Sequence, residues 1–165
     1  MEITIENLKK EHSKEVLQIY QEGIRTGDAT FETTVPTWEE WDRSHLPECR
    51  LVAVGSRGDV LGWAALSSVS GRCVYAGVAE ASAYVKESVR GLGVGKALLE
   101  TLVEESEIAG IWTLEAGTFS ENKISITLLK SCGFRQVGCR ERLGKLEGIW
   151  RNVLLFERRS KVAGT

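Results

Sequence analysis

No stretch of this chain approaches the ~18 consecutive apolar residues that a membrane-spanning helix needs, so it is predicted to cross no bilayer. Met1 is followed at once by Glu2-Ile3-Thr4-Ile5, without the basic start and apolar core of a secretory leader. A cytoplasmic protein is expected. An excess of one charge is missing too: 21 Lys and Arg against 23 Asp and Glu leave a formal net charge of −2. Neither nucleic acid nor an anionic membrane surface is favoured as a partner by that balance. Cys49, Cys73, Cys132 and Cys139 lie far apart with no C-x-x-C unit, and His12 and His45 do not flank them. No metal site is expected, and in a reducing compartment the thiols are free. A Cys–His nucleophile stays open on sequence alone. Repeats, low-complexity tracts and Pro/Gly/Ser linkers are absent. With 165 residues, 42% apolar and 27% charged, residues 1–165 read as one soluble α/β (α+β) domain.

What is present is most informative at Tyr84-Val85-Lys86-Glu87-Ser88-Val89-Arg90-Gly91-Leu92-Gly93-Val94-Gly95-Lys96-Ala97-Leu98-Leu99. A β-type run meets a basic, glycine-spaced turn that opens into an apolar-periodic helix. Glycines let the backbone approach a ligand without a Cβ, and the first amides of a helix have no internal partners. Arg90 and Lys96 add positive charge, so the segment reads as a cradle for a diphosphate. A Walker loop is a weak match, because its first glycine falls on Arg90 and Ala97 replaces the hydroxyl after the lysine. A dinucleotide fingerprint is weak as well: from Gly91 the third glycine falls on Lys96, and from Gly93 on Leu98.

Around this turn the chain alternates elements. Residues 3–5 read as a strand and 12–25 as a helix with Val16, Ile19, Tyr20 and Ile24 on one face. Thr37 and Glu40 form a capping box after Pro36. Residues 50–54 and 60–66 read as a hairpin, and 77–85 as a strand carrying Val78, Glu80, Ser82 and Tyr84 on one side. A helix over 93–109 ends at Gly110. A strand over 111–116 and a short helix over 122–131 follow. Strands over 134–142 and 150–157 flank a connection at Gly144-Lys145-Leu146-Glu147-Gly148.

The pattern Arg90-x-x-Gly93-x-Gly95 resembles the acetyl-CoA signature of the GNAT N-acetyltransferases, and Asn122-Lys123-Ile124-Ser125 with Gly133-Phe134 resembles their second block. Further segments, in chain order, are similar to the phosphinothricin and methionine sulfoximine acetyltransferase subfamily. These are Ala29-Thr30-Phe31-Glu32-Thr33, Arg72-Cys73-Val74-Tyr75, Ala79-Glu80-x-Ser82-x-Tyr84-Val85, and Gly144-Lys145 with Gly148-x-Trp150. The resemblance covers about residues 3 to 158. It implies the GNAT fold, a mixed central sheet flanked by helices. It also implies acetyl-CoA as co-substrate, a small amino-acid-like amine as acceptor, and a homodimer.

Residue by residue, the resemblance places the cofactor on Val85, Arg90, Gly91, Leu92, Gly93, Val94, Gly95, Lys96, Asn122 and Ser125. Asn122 also has the position of an ordinary helix cap. Glu80 falls on the subfamily's catalytic glutamate. It stands in the small, apolar run Val78-Ala79-Glu80-Ala81-Ser82-Ala83, where a charge is costly unless it faces a cleft. Arg72 has the forked geometry to hold an acceptor carboxylate, and Phe31, Tyr75 and Trp150 are expected to wall the acceptor pocket. Trp38, Trp41 and the last strands supply apolar surface for either an interface or the core. One position departs from the family: Leu129 stands where a tyrosine or histidine able to protonate the leaving thiolate is common. That departure keeps a weakly catalytic acyl-CoA sensor open as an alternative, beside a protein or peptide acceptor.

Overall fold

A computed structural model describes residues 1–165. One seven-stranded sheet, in the order β1-β2-β3-β4-β5-β7-β6, spans nearly all of it. The strands are β1 (Ile3–Asn7), β2 (Leu51–Gly55), β3 (Val60–Ser68), β4 (Val78–Val85), β5 (Thr113–Phe119), β6 (Arg135–Leu146) and β7 (Ile149–Arg159). Every neighbouring pair is antiparallel except β4–β5. Four α-helices cover it: α1 (Ser13–Arg25), α2 (Trp38–Ser44), α3 (Val94–Ile108) and α4 (Lys123–Ser131).

The two faces of the sheet bury different side chains, because register partners share a face. On one face Leu98, Leu99, Leu102 and Val103 of α3 and Leu129 of α4 pack on Leu66, Ala79, Leu114, Ala116 and Phe156. The opposite face, under α1 and α2, is aromatic: Trp41 and Trp63 are essentially inaccessible and meet edge to face at 5.3 Å. Tyr84 stacks on Trp63 at 4.9 Å and Tyr20 lies 4.9 Å from Tyr84. Trp41 is therefore a core residue, and Trp38 stacks on it at 4.9 Å.

Local chemistry sets the element ends. Thr37 caps α2 by accepting from the Glu40 amide at 3.2 Å. Gly110, at φ 84°, follows the last turn of α3 in the left-handed conformation that suits glycine. Expected strand boundaries move most at two places. The final hairpin extends to Leu146 and resumes at Ile149, joined only by Glu147 and Gly148 at φ 50° and 80°. Two positive φ values are what a two-residue type I′ turn requires. The strand expected over 111–116 instead runs 113–119, because the Trp112 and Thr113 amides both turn to the Gly77 carbonyl. Three single 3₁₀ turns, at 10–12, 73–75 and 87–89, are not expected from the sequence, and the first takes His12 from the start expected for α1.

At Gly62 the sheet comes close against α3. A Cβ there would stand 2.8 Å from the Tyr84 carbonyl oxygen and 2.9 Å from Leu98 Cδ1. Gly62→Ala is expected to destabilise the fold by about 1–3 kcal/mol through overpacking, read as a lower urea midpoint with an unchanged slope.

Candidate active site

The parallel pair β4–β5 is short. Val78, Ala79 and Glu80 face Thr113, Leu114 and Glu115, and beyond that rung the two strands have no register with each other. β4 continues to Val85 and β5 to Phe119, so a wedge-shaped split opens between them. Glu80 and Glu115 are the last pair before the split. Both lie on the face that carries Tyr84, and Glu115 in turn faces Glu157 of β7.

At the far end of the split stands the glycine turn. Gly91 and Gly93 adopt φ 79° and 88°, and a Cβ on either would meet nothing within 4 Å. The amides of Gly91, Leu92, Gly93, Val94, Gly95 and Lys96 have no acceptor within the chain, and the first one engaged is that of Ala97. Gly95 serves packing instead: its Cβ position lies 3.3 Å from Leu128 and 3.4 Å from Val85, which draws the start of α3 against β4 and α4. Arg90 and Lys96 are exposed beside these amides, Arg90 Nε donating to the Val85 carbonyl at 3.4 Å. Six free amides at a helix N-terminus with two adjacent cations make an anion site.

The Glu80 side chain is open to solvent, yet its carboxyl is pushed above the usual carboxylate range. Loss of hydration inside the surrounding protein is the largest cause. The negative charge of Glu115 adds to it, and Arg140 opposes both. A cleft accounts for the two observations together, with water reaching the side chain through the mouth while the walls thin its hydration shell. No ion pair joins Glu80 to Arg72, whose guanidinium lies 5.5 Å over the Tyr75 ring. Glu157 is neutralised by Arg135 at 2.7 Å, so Glu80 and Glu115 are the facing carboxylates in this row without a direct ion-pair partner.

The expected acceptor residues fall into two groups. Arg72 and Tyr75 precede β4, at the end of the sheet marked by Val78, Thr113 and Arg159. Phe31 lies in the loop between α1 and α2, edge to face with Phe119 at 4.9 Å, and its ring sits 3.1 Å from where a Cβ on Gly144 would be. Trp150 stands three residues beyond the Val153–Phe119 pair, at the opposite end of β7 from Arg159, with Lys145 5.1 Å over its ring. Within one chain, no aromatic, cation–π or hydrogen-bond contact joins Phe31 or Trp150 to Arg72 or Tyr75.

Asn122 Oδ1 caps α4 by accepting from the Ser125 amide at 3.1 Å, while its Nδ2 donates to the Asp28 carbonyl at 3.0 Å. The Asx cap was legible in the sequence; the bond to a residue 94 positions away was not. Sequence reasoning also passed over Glu115, Phe119 and Arg151, whose places follow from strand register alone. Leu129 is buried in the core beneath α3.

A mixed sheet split at its one parallel pair, with a glycine turn of free amides at the open end, decides the family together with the sequence match. Residues 14–134 match the acetyltransferase (GNAT) family model. The chain belongs to that family. The L-methionine sulfoximine/L-methionine sulfone acetyltransferase of Pseudomonas aeruginosa is 32% identical over 147 residues, covering 86% of this chain and 86% of that protein. The phosphinothricin N-acetyltransferase of Alcaligenes faecalis is 29% identical, covering 94% and 81%. A crystal structure of a GNAT-superfamily phosphinothricin acetyltransferase from Sinorhizobium meliloti, in complex with acetyl-CoA, superimposes with a TM-score of 0.90 at 28% identity, covering 99% of this chain and 91% of that one. No helix of this GNAT protein is long and apolar enough to cross a membrane.

The facing carboxylates give a titration test. Glu115→Gln is expected to lower the midpoint at which Glu80 ionises, because a second negative charge is easier to place once the first is gone. The midpoint stays above the usual carboxylate range, since desolvation, the larger cause, remains. Side-chain carboxyl carbon NMR against pH reads the shift.

Proposed function

We propose that this protein transfers the acetyl group of acetyl-CoA to the amino group of a small amino-acid-like acceptor of the phosphinothricin or methionine sulfoximine type, by direct attack in a ternary complex. The observation that carries this reading is the place of Glu80. It ends the last rung of the β4–β5 pair, at the closed end of a split whose open end is the free-amide turn. A pantetheine arm extended from diphosphate on Val94, Gly95 and Lys96 would run down that split toward Glu80. Val85, Arg90, Gly91, Leu92 and Gly93 complete the cradle, and Asn122 and Ser125 flank it at the start of α4.

In the proposed reaction Glu80 takes a proton from the acceptor ammonium. A carboxyl held above the ordinary range is better matched to that task than a free one. The freed nitrogen attacks the thioester carbonyl carbon, the β4 amides near Val85 stabilise the oxyanion, and the carbon–sulfur bond breaks. Leu129 offers no proton, so the coenzyme leaves as the thiolate, which thiol acidity (pKa ~8.5) allows, and that thiolate takes the second proton that the attacking nitrogen sheds as it becomes the amide. Arg72 holds the acceptor carboxylate as a fork, with Tyr75 stacked against it. Phe31 walls the loop side, and Trp150 with Lys145 and Arg142 forms the outer rim.

The same reading makes the protein a cytoplasmic homodimer. It is supported by apolar side chains left open on the β6–β7 hairpin: Val137, Leu143, Ile149 and Trp150 are 46%, 49%, 66% and 47% exposed. Apolar side chains open on both faces of one hairpin suit a protein partner better than water. Sedimentation velocity at micromolar concentration is expected to return twice the monomer mass. A monomer at all concentrations overturns the dimer and leaves the chemistry standing.

Glu80→Gln is expected to lower kcat by about 10²–10⁴-fold while calorimetry finds acetyl-CoA binding unchanged. Arg72→Ala is expected to raise the acceptor KM by about 10-fold, as loss of a two-pronged ionic contact does. Full turnover in the first variant removes Glu80 as base. An unchanged KM in the second places the acceptor carboxylate elsewhere.

A further inference from the structure

The loop between α1 and α2, residues 26–37, has neither helix nor strand and is almost wholly exposed, yet it carries Phe31 over the end of the split. One side chain gathers its anchoring. Arg151 on β7 keeps only 11% of its side chain accessible and lies 4.1 Å over the Phe119 ring. Its Nη1 donates to the Gly27 carbonyl at 2.8 Å, and its Nη2 to Asp28 Oδ1 at 2.7 Å and Glu121 Oε2 at 3.5 Å. From the other side Asn122 donates to the Asp28 carbonyl while capping α4. Three segments distant in sequence therefore meet at one guanidinium: the α1–α2 loop, the β5–α4 turn and β7.

Only arginine fits this junction, because its planar fork can serve a carbonyl and two carboxylates at once. The bonds do little for the hydrophobic interior. The loop contributes no strand to the sheet, and Arg151 meets the buried set here through the Phe119 ring. What the bonds do fix is the conformational freedom of an exposed segment, which would otherwise oppose any ligand that needs Phe31 in place.

We propose that Arg151 is a positioning residue. By pinning Gly27 and Asp28 to the turn that begins α4, it holds Phe31 against Phe119 and Gly144 and ties the acceptor side of the site to the cofactor side. Arg151 touches neither ligand in this scheme; it acts through the loop. The kinetic part of this inference rests on the acetyl-transfer reading above, and the conformational part does not.

Two variants test it. Arg151→Met keeps an apolar stem over Phe119 and removes every donor, and Asp28→Ala removes the acceptor from a side chain that is 53% exposed. In both, trypsin cleavage after the exposed Arg25 is expected to speed up by about 10-fold, as loss of a charge-assisted bond permits. The thermal midpoint is expected to stay within a few degrees. In both, the KM for phosphinothricin or methionine sulfoximine rises by about 10-fold while that for acetyl-CoA changes less than about twofold. The double variant is no worse than either single one, because the two residues act as one unit. Unchanged cleavage with unchanged acceptor KM overturns the proposal. So does an equal rise in both KM values with a large fall in thermal midpoint, which marks a merely structural arginine. If Arg151→Met does not fold, Asp28→Ala decides. If the unmodified protein acetylates neither amine, the acetyl-transfer reading fails and the trypsin rates still decide whether the clamp exists.

Discussion

Everything at this site depends on one parallel pairing that stops early. Parallel strands need a long crossover, here α3, and the crossover starts where β4 ends. After Glu80 and Glu115 the two strands part, so the backbone edge that a continued ladder would occupy is left open to an extended ligand. The same crossover begins with amides that have no partner, at the end of the split farthest from the carboxylates. A single topological event thus supplies an anion grip, a channel and a carboxyl at its base. The rest of the molecule is antiparallel and closes around it.

Two cores of different chemistry hold that event in place. Aliphatic side chains beneath the sheet fit the flat contact between α3 and the strands, where Gly62 and Gly95 let backbones approach. Above it, the chain of ring contacts Trp38–Trp41–Trp63–Tyr84, stacked at both ends and edge to face in the middle, carries rigidity from α2 to β4, one residue before Val85. Aromatic rings cover much area with few rotamers, so this arrangement orders an irregular region cheaply in side-chain entropy.

The parts of this design that sequence reveals are those written in neighbouring residues. The glycine turn, the α3 stripe, the Thr37 cap and the alternation of Glu80 with Ser82 and Tyr84 are all local, and the structure has them where the pattern puts them. The two most misplaced boundaries have separate local causes. Glu147 occupies a left-handed conformation that a non-glycine residue rarely adopts, and Trp112 spends its amide on Gly77 instead of a ladder. Neither choice leaves a trace in periodicity. Partnerships across the sheet are equally silent. Glu115 stands 35 residues from Glu80 and Arg151 stands 123 from Asp28, so both became visible only once register was known.

The outer strand β6 has one more property. Arg140 pairs with Val153 and Gly144 with Arg151, so Glu141, Arg142 and Leu143 together oppose Asn152. Arg142 turns to φ 49° and gives its amide to Asn152 Oδ1 at 2.8 Å. A twelve-residue border strand would otherwise offer a straight template to a neighbouring chain. The kink breaks that template midway and studs it with arginine, which guards against edge-on polymerisation into fibrils. At this edge, any contact between copies is left to side-chain faces, where geometry can close it at a finite number of copies.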